Sequence, residues 1–277
     1  MNGWAPKFGH YIALLSFFLL SMAAYVHFFP LLFMDETFAI WNAKLNLLER
    51  SEDPEFVIIG DSRPMHGLIP SAFPQKTISL AIQGGSSIEG YFLLRSFLEK
   101  HRAPKKIIYS ISPIRFEKAE YFWDNTVKSR QISFGDLSDI LKRAENLEDW
   151  NFTTKTWPRC FPCNFAKLWG IWLGLPNFYQ KNLIYGRLAM RGVENKKLIS
   201  EVVDQSGFRE AVVRSQKVDI PGREANRSQF RPSPLLSHYF DETLRICEER
   251  GIDVYFVFFP LNPASASSVS PSFNQKV

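Results

Sequence analysis

The 277 residues suffice for one ordinary domain with additions or two small ones, and 45 % apolar with 22 % charged residues excludes disordered and fibrous classes. Thirty-three Lys and Arg against 28 Asp and Glu leave a net charge of +5, too mild and too dispersed to argue for nucleic acid. Three cysteines are too few for a disulfide-stapled scaffold, and 25 phenylalanines suit a chain that meets lipid, builds a large aromatic core, or does both.

Residues 11–34 hold no Asp, Glu, Lys or Arg. At a rise of about 1.5 Å per residue this run spans a hydrocarbon layer of roughly 30 Å. Trp4 and Tyr11 before it and Trp41 after it suit interfacial aromatic belts. Lys7 precedes the run and Asp35 and Glu36 follow it, a bias that keeps the amino terminus in the cytoplasm and sends the body outside. Residues 1–34 are thus expected to form a single uncleaved anchor ahead of a body at 35–277. Two alternatives stand beside it: Ser21-Met22-Ala23 offers small residues to a signal peptidase, and the run could be a buried core helix. The second is disfavoured because its apolar residues surround the axis without a polar face.

Beyond the anchor, Ile40, Trp41, Leu45, Leu47 and Leu48 recur at helical spacing over 39–50. The run Phe56-Val57-Ile58-Ile59, closed by Gly60, predicts a strand buried on both faces. A second strand fits 77–82, ending in Gly84-Gly85, and Ser86-x-x-Glu89 reads as a capping box opening a helix with Ile88, Tyr91, Phe92, Phe97 and Leu98. A third strand fits 106–112. Leu236, Phe240, Leu244 and Cys247 share one side of a helix over 235–250, which Gly251 ends, and a fourth strand fits 252–259. Strands alternating with helices predict an α/β domain around a parallel sheet, with helices on both faces. Residues 114–232 carry no strand signal and read as a long helical insertion over the sheet's carboxyl edge. Its half from Lys181 to Arg231 has 11 Lys and Arg against 6 Asp and Glu, which reads first as a solvated surface and second as an electropositive rim flanking Ser62.

Gly60-Asp61-Ser62-Arg63 directly follows the first strand, and ligands of open parallel sheets bind outside such carboxyl ends. Gly84 and Gly85 end the second strand at the same edge, where glycine lets backbone approach a substrate and donate an N–H. Gly60-Asp61-Ser62-Arg63 together with Ser79-Leu80-Ala81-Ile82-Gln83-Gly84-Gly85-Ser86 resembles the SGNH hydrolases, or GDSL-type esterases. Within them the chain resembles the membrane-anchored bacterial branch related to proteins of teichoic-acid D-alanylation and alginate O-acetylation. The resemblance covers roughly residues 55–115, and 235–263 as topology only. It implies a flavodoxin-like sheet, Asp61 and Ser62 as the catalytic block with Ser62 the nucleophile, and an oxyanion hole from the Ser62 amide and that of Gly84 or Gly85. It also implies esterase or O-acyltransferase work on acyl esters of envelope polysaccharide, outside a bacterial inner membrane, and a membrane-bound O-acyltransferase as partner. No cofactor or metal is implied.

The chain departs from that pattern. The third strand end reads Ser110-Ile111-Ser112-Pro113, without the family's Asn, and the 18 residues after Phe259 hold neither His nor Asp, so the family's Asp-x-x-His block is missing. The expectation is a truncated or degenerate enzyme, or an envelope-assembly partner that keeps the fold without the base. Of the five histidines, His10 and His27 belong to the membrane end and His101 to the far edge of the sheet. His238, early in a helix starting at the Ser62 edge, is the candidate base, and His66 reads as too local to reach the hydroxyl. For each, a structural or surface histidine is the simpler reading. Cys160-Phe-Pro-Cys163 lacks the preceding strand of a thioredoxin-like site, so a local disulfide is preferred over an incidental pair, with thiol redox chemistry the most remote reading. Cys247 reads as core.

Overall fold

The computed structural model describes residues 5–32, 34–127, 129–149, 152, 188–211, 230–261 and 263–268. The alternating polar and apolar runs fold into an α/β body with four parallel strands: β1 (Phe56–Gly60), β2 (Thr77–Ser79), β3 (Lys106–Ser110) and β4 (Asp253–Phe256). Their order is β2-β1-β3-β4, compatible with a flavodoxin-like fold. The chain steps outward from β1 to β2 and then returns to the other side of β1 for β3. The crevice between the carboxyl ends of β1 and β3 is therefore where the winding reverses, the place at which such sheets take ligands.

Alternation along the strands assigns residues to two layers. Val57, Ile59, Ile107 and Tyr109 pack against Leu93, Leu94 and Phe97 of α4 (Ser87–Lys100), with Cys247 supplied by a later helix; Ile58 and Ile108 face the other way, onto Ile40, Met65 and Ala81. Each side of the sheet thus has its own apolar cover, which is why β1 reads as an unbroken apolar run. The helix expected over 39–50 begins earlier, as α2 (Glu36–Arg50), because Asp35 caps it by accepting the Thr37 N–H. The second strand is shorter than expected, although the Leu80 and Ile82 amides still donate to the Ile58 and Gly60 carbonyls.

The capping box forms as the sequence indicates. Glu89 Oε2 accepts the Ser86 N–H at 2.8 Å and the Ser86 hydroxyl, while Oε1 takes the Thr126 hydroxyl at 2.7 Å. That last bond ties the sheet to the insertion, whose described parts are helical: α5 (Ile114–Glu117), a π-helical turn (Phe122–Val127), α6 (Phe134–Asn146) and α7 (Leu188–Asp204). No strand occurs among the described residues of 114–232. After it come α8 (Pro234–Glu249), packed on α4, and a short α9 (Pro263–Ser268) beyond β4.

The amino-terminal run is one helix, α1 (Ala5–Phe28), joined to the body by a 3-10 turn at Pro30–Leu32. Asn195 and Arg191 of α7 fasten this junction: the Asn195 amide donates to the Leu31 and Met34 carbonyls, and Arg191 Nε to that of Met34. Leu14, Leu15, Phe17, Phe18, Leu19 and Leu20 are all exposed, which covers the whole circumference of the helix. Among the described residues no helix is both long and apolar enough to cross a membrane. The side chains of residues 22, 23, 26 and 27 lie outside the description, and with them the expected cleavage site and His27.

Candidate active site

The turn after β1 is shaped by Gly60, whose φ is +152° and whose position a Cβ could not share: it would fall 1.7 Å from the Ser110 carbonyl oxygen of β3. Asp61 follows as the N-cap of α3 (Ser62–Gly67). It is 3 % exposed, and its carboxylate spans the crevice: Oδ1 accepts the Arg63 N–H at 2.9 Å and Oδ2 the Ser112 N–H at 3.0 Å. Burial raises the Asp61 pKa, against the opposing pull of those two amides and of the Arg63 and Arg115 guanidiniums. Expected as part of a catalytic block, Asp61 bonds to no histidine among the described residues. What it does in the structure is bind the ends of β1 and β3 together and fix the first turn of α3.

Ser62 is the first residue of α3 and is half-buried. Among the described residues neither its hydroxyl nor its N–H has a hydrogen-bond partner. The two glycines of the second strand end differ from each other. The Gly85 N–H is spent on the Ile82 carbonyl at 3.2 Å, closing the turn, whereas the Gly84 N–H donates to no acceptor among the described residues. Gly84 is buried with φ +75°, and the Tyr121 side chain lies so close that a Cβ there would sit 3.0 Å from it. Of the three amides expected as oxyanion donors, that of Gly85 has an acceptor, and those of Ser62 and Gly84 have none among the described residues.

Four residues that sequence reasoning passed over, Arg115, Glu120, Tyr121 and Asn125, stand at the same edge. The Arg115 guanidinium lies 4.5 Å from the Tyr121 ring centroid and 3.9 Å from Glu120, and its backbone N–H returns to the Ser112 carbonyl. Asn125 donates its amide to the Gln83 carbonyl at 3.3 Å, next to Gly84. An asparagine does reach this rim, then, but from the insertion rather than from the third strand end. Only the π-helical turn brings it there, and spacing along the chain gave no sign of it.

The histidines separate. His101 is the C-cap of α4, stacked on Phe97 and held by the Leu48 carbonyl at 2.6 Å, a structural role at the opposite edge, as expected. His238 packs beside Tyr239; desolvation and the Arg143 charge lower its pKa, while Glu242 and Asp241 raise it. No group of α3 is among those neighbours, and no hydrogen bond joins His238 to Ser62. His66, one turn after Ser62, bonds through Nδ1 to the Arg209 carbonyl at 2.7 Å.

The described flanks of the basic segment sit at this end of the fold. Arg209 touches Met65 and His66 of α3, and the Arg231 N–H donates to Glu117 of α5 at 2.8 Å. A cavity of about 420 Å3 lies among Leu198, Val202, Phe208 and Arg209, and another of about 390 Å3 among Phe29, Leu32, Phe38 and Lys196; Ser62 lines neither. Cys160 and Cys163 lie outside the described residues. Cys247 is buried against Tyr109 and Ile107, and burial raises its thiol to about 11, in keeping with a core position. Among the described residues no cluster of His, Cys, Asp and Glu is arranged to hold a metal ion.

Comparison with known proteins adds no assignment: no protein-family model matches the chain, and no curated protein matches it.

Proposed function

We propose that the protein is an SGNH-like esterase or O-acyltransferase that cleaves or transfers acyl esters of cell-envelope glycans, with Ser62 as nucleophile. The observation that carries this reading is an unengaged Ser62 hydroxyl at the carboxyl end of β1, with the unengaged amides of Ser62 and Gly84 at the same edge of the sheet. Polar groups at a folded edge normally find partners; donors held open beside a hydroxyl are what an acyl-transfer site needs for the developing oxyanion. Asp61 acts through the backbone, holding the amides of Arg63 and Ser112 and with them the turn that carries Ser62. Arg115 and the basic flanks of the insertion favour an anionic acyl acceptor or donor. The test is labelling with a fluorophosphonate probe: a Ser62 adduct in the intact protein that is lost in Ser62→Ala supports the reading, and a folded, unlabelled protein refutes it.

The same reading makes residues 1–34 a single-pass anchor in a bacterial inner membrane, with the body facing the periplasm or exterior and a membrane-bound O-acyltransferase as partner. The exposed apolar circumference of α1 supports it, since water disfavours such a surface and lipid does not. Fractionation of the intact chain against a form lacking 1–34 tests it.

A second reading, a polymer-binding or assembly partner on a degenerate SGNH-like fold, is favoured by one observation: among the described residues no histidine bonds to Ser62. Retention of the folded protein on envelope polysaccharide without any Ser62 labelling is the result it expects.

A further inference from the structure

The segment after α7 is a short strap over the outer edge of the sheet. The Ser206 carbonyl accepts the Ser79 N–H of β2 at 2.8 Å, so the strap pairs with an otherwise open edge. Gly207 has φ +94°, and a Cβ there would fall 2.0 Å from the Ser79 oxygen, so only glycine lets the strap lie this close. From beneath, the fully buried Lys44 of α2 donates Nζ to the Ser79 carbonyl at 2.8 Å and to that of Gly207. Two residues on, the Arg209 N–H bonds to the Met65 carbonyl at 3.2 Å and its guanidinium to Glu36 at 2.9 Å. The Arg209 carbonyl is therefore a fixed acceptor aimed at α3, and it is the one His66 Nδ1 meets.

A carbonyl can only accept, so Nδ1 carries a proton in this bond and the neutral ring keeps its lone pair on Nε2. Ser62 and His66 lie four residues apart on α3, which puts their Cβ atoms about 5–6 Å apart on one face. Helical Cα–Cβ bonds tilt toward the amino terminus, which from His66 is the direction of Ser62. Resting on the acyl-transfer reading of Ser62, we propose that His66 is the general base for its hydroxyl, with the Arg209 carbonyl holding the ring in the working tautomer. Arg209, whose backbone carbonyl the ring meets, is ion-paired with Glu36.

The step balances without any co-reactant beyond the ester and its acceptor. As Ser62 Oγ bonds to the acyl carbon, its proton passes to His66 Nε2; collapse of the tetrahedral intermediate breaks the ester C–O bond, and the leaving alkoxide takes that proton. Water or an acceptor hydroxyl then gives its proton to Nε2 while its oxygen attacks the acyl-Ser62 carbonyl. Release of the acyl group returns that proton to Oγ.

The experiment measures the rate of fluorophosphonate labelling at Ser62, mapped by mass spectrometry on the intact chain. His66→Ala is expected to slow labelling at least about 100-fold, the usual contribution of a general base, and added imidazole to restore part of the rate. Gly207→Ala, which displaces the strap, should slow it as well and respond to imidazole in the same way; His238→Gln should not. Labelling of His66→Ala at the wild-type rate overturns the proposal, as does a folded, slow His66→Ala that imidazole leaves unchanged. If His66→Ala does not fold, carbethoxylation of the wild-type protein decides: His66 modified with Ser62 still labelling overturns the role, and loss of labelling on His66 modification supports it. A wild-type protein that never labels at Ser62 refutes the acyl-transfer reading itself, and the base with it.

Discussion

Two helix starts, those of α3 and α8, each set a serine beside an aspartate and differ in how their polar groups are satisfied. Both are helix openings with a serine and an aspartate at hand. At α8, Ser233 gives its hydroxyl to Asp149, the Leu235 N–H joins the same carboxylate at 3.1 Å, and Ser87 Oγ closes onto the Leu236 carbonyl. At α3 the aspartate is used as a cap and cross-strand bridge, yet among the described residues the serine beside it and the Gly84 amide of the second strand's end have no partner. The first is a joint and the second is the proposed site. What distinguishes them is the count of unspent donors.

Four substitutions or conditions sharpen that contrast. The largest effect belongs to Gly60→Ala, where a Cβ 1.7 Å from the Ser110 oxygen forces β1 and β3 apart. Loss of folded protein is expected, a cost above about 4 kcal/mol, read by denaturant unfolding. Asp149→Ala comes next. It strands the Ser233 hydroxyl and the Leu235 and Phe152 amides and should cost about 3 kcal/mol, while Ser62 labelling per folded molecule stays unchanged.

The third turns on Lys44. Burial lowers its amine from the ordinary 10.5 to about 7, opposed by the two carbonyls it serves, so between those values the unfolded chain holds a proton that the folded one does not. Stability therefore rises with pH across that window, by at most about 1.4 kcal/mol per pH unit. Melting curves from pH 7 to pH 10 should show the rise, and Lys44→Met should flatten it. The smallest effect is that of His238→Gln. With no bond to Ser62 and partial exposure, it should leave labelling unchanged and stability within about 0.5 kcal/mol.

The sheet was legible because each strand carries its own signature. Phe56-Val57-Ile58-Ile59 is apolar throughout since Val57 and Ile58 face different layers, both covered; Ser86 and Glu89 wrote the start of α4. Ser62 and the glycine turn were legible for the same local reason. The partners that cross the chain were not. Asp61 reads as part of a motif, and only the third strand's arrival beside it, with the Ser112 N–H 51 positions away, turns it into a bridge. Nothing in the spacing separates Gly84 from Gly85; the turn bond to Ile82 does. His66 reads as too local until Arg209, 143 positions later, supplies the carbonyl that fixes its tautomer. His238 shared the right edge on paper, but its turn of α8 faces Arg143.

The most direct measurement is mass-spectrometric mapping of covalent adducts after brief exposure of the intact protein to a fluorophosphonate. A single modified peptide carrying the phosphonyl group on Ser62, absent from Ser62→Ala although that variant melts at the wild-type temperature, is the predicted result. A folded protein with no adduct, or with its adduct on another serine and indifferent to Ser62→Ala, contradicts the assignment of Ser62 as a nucleophile.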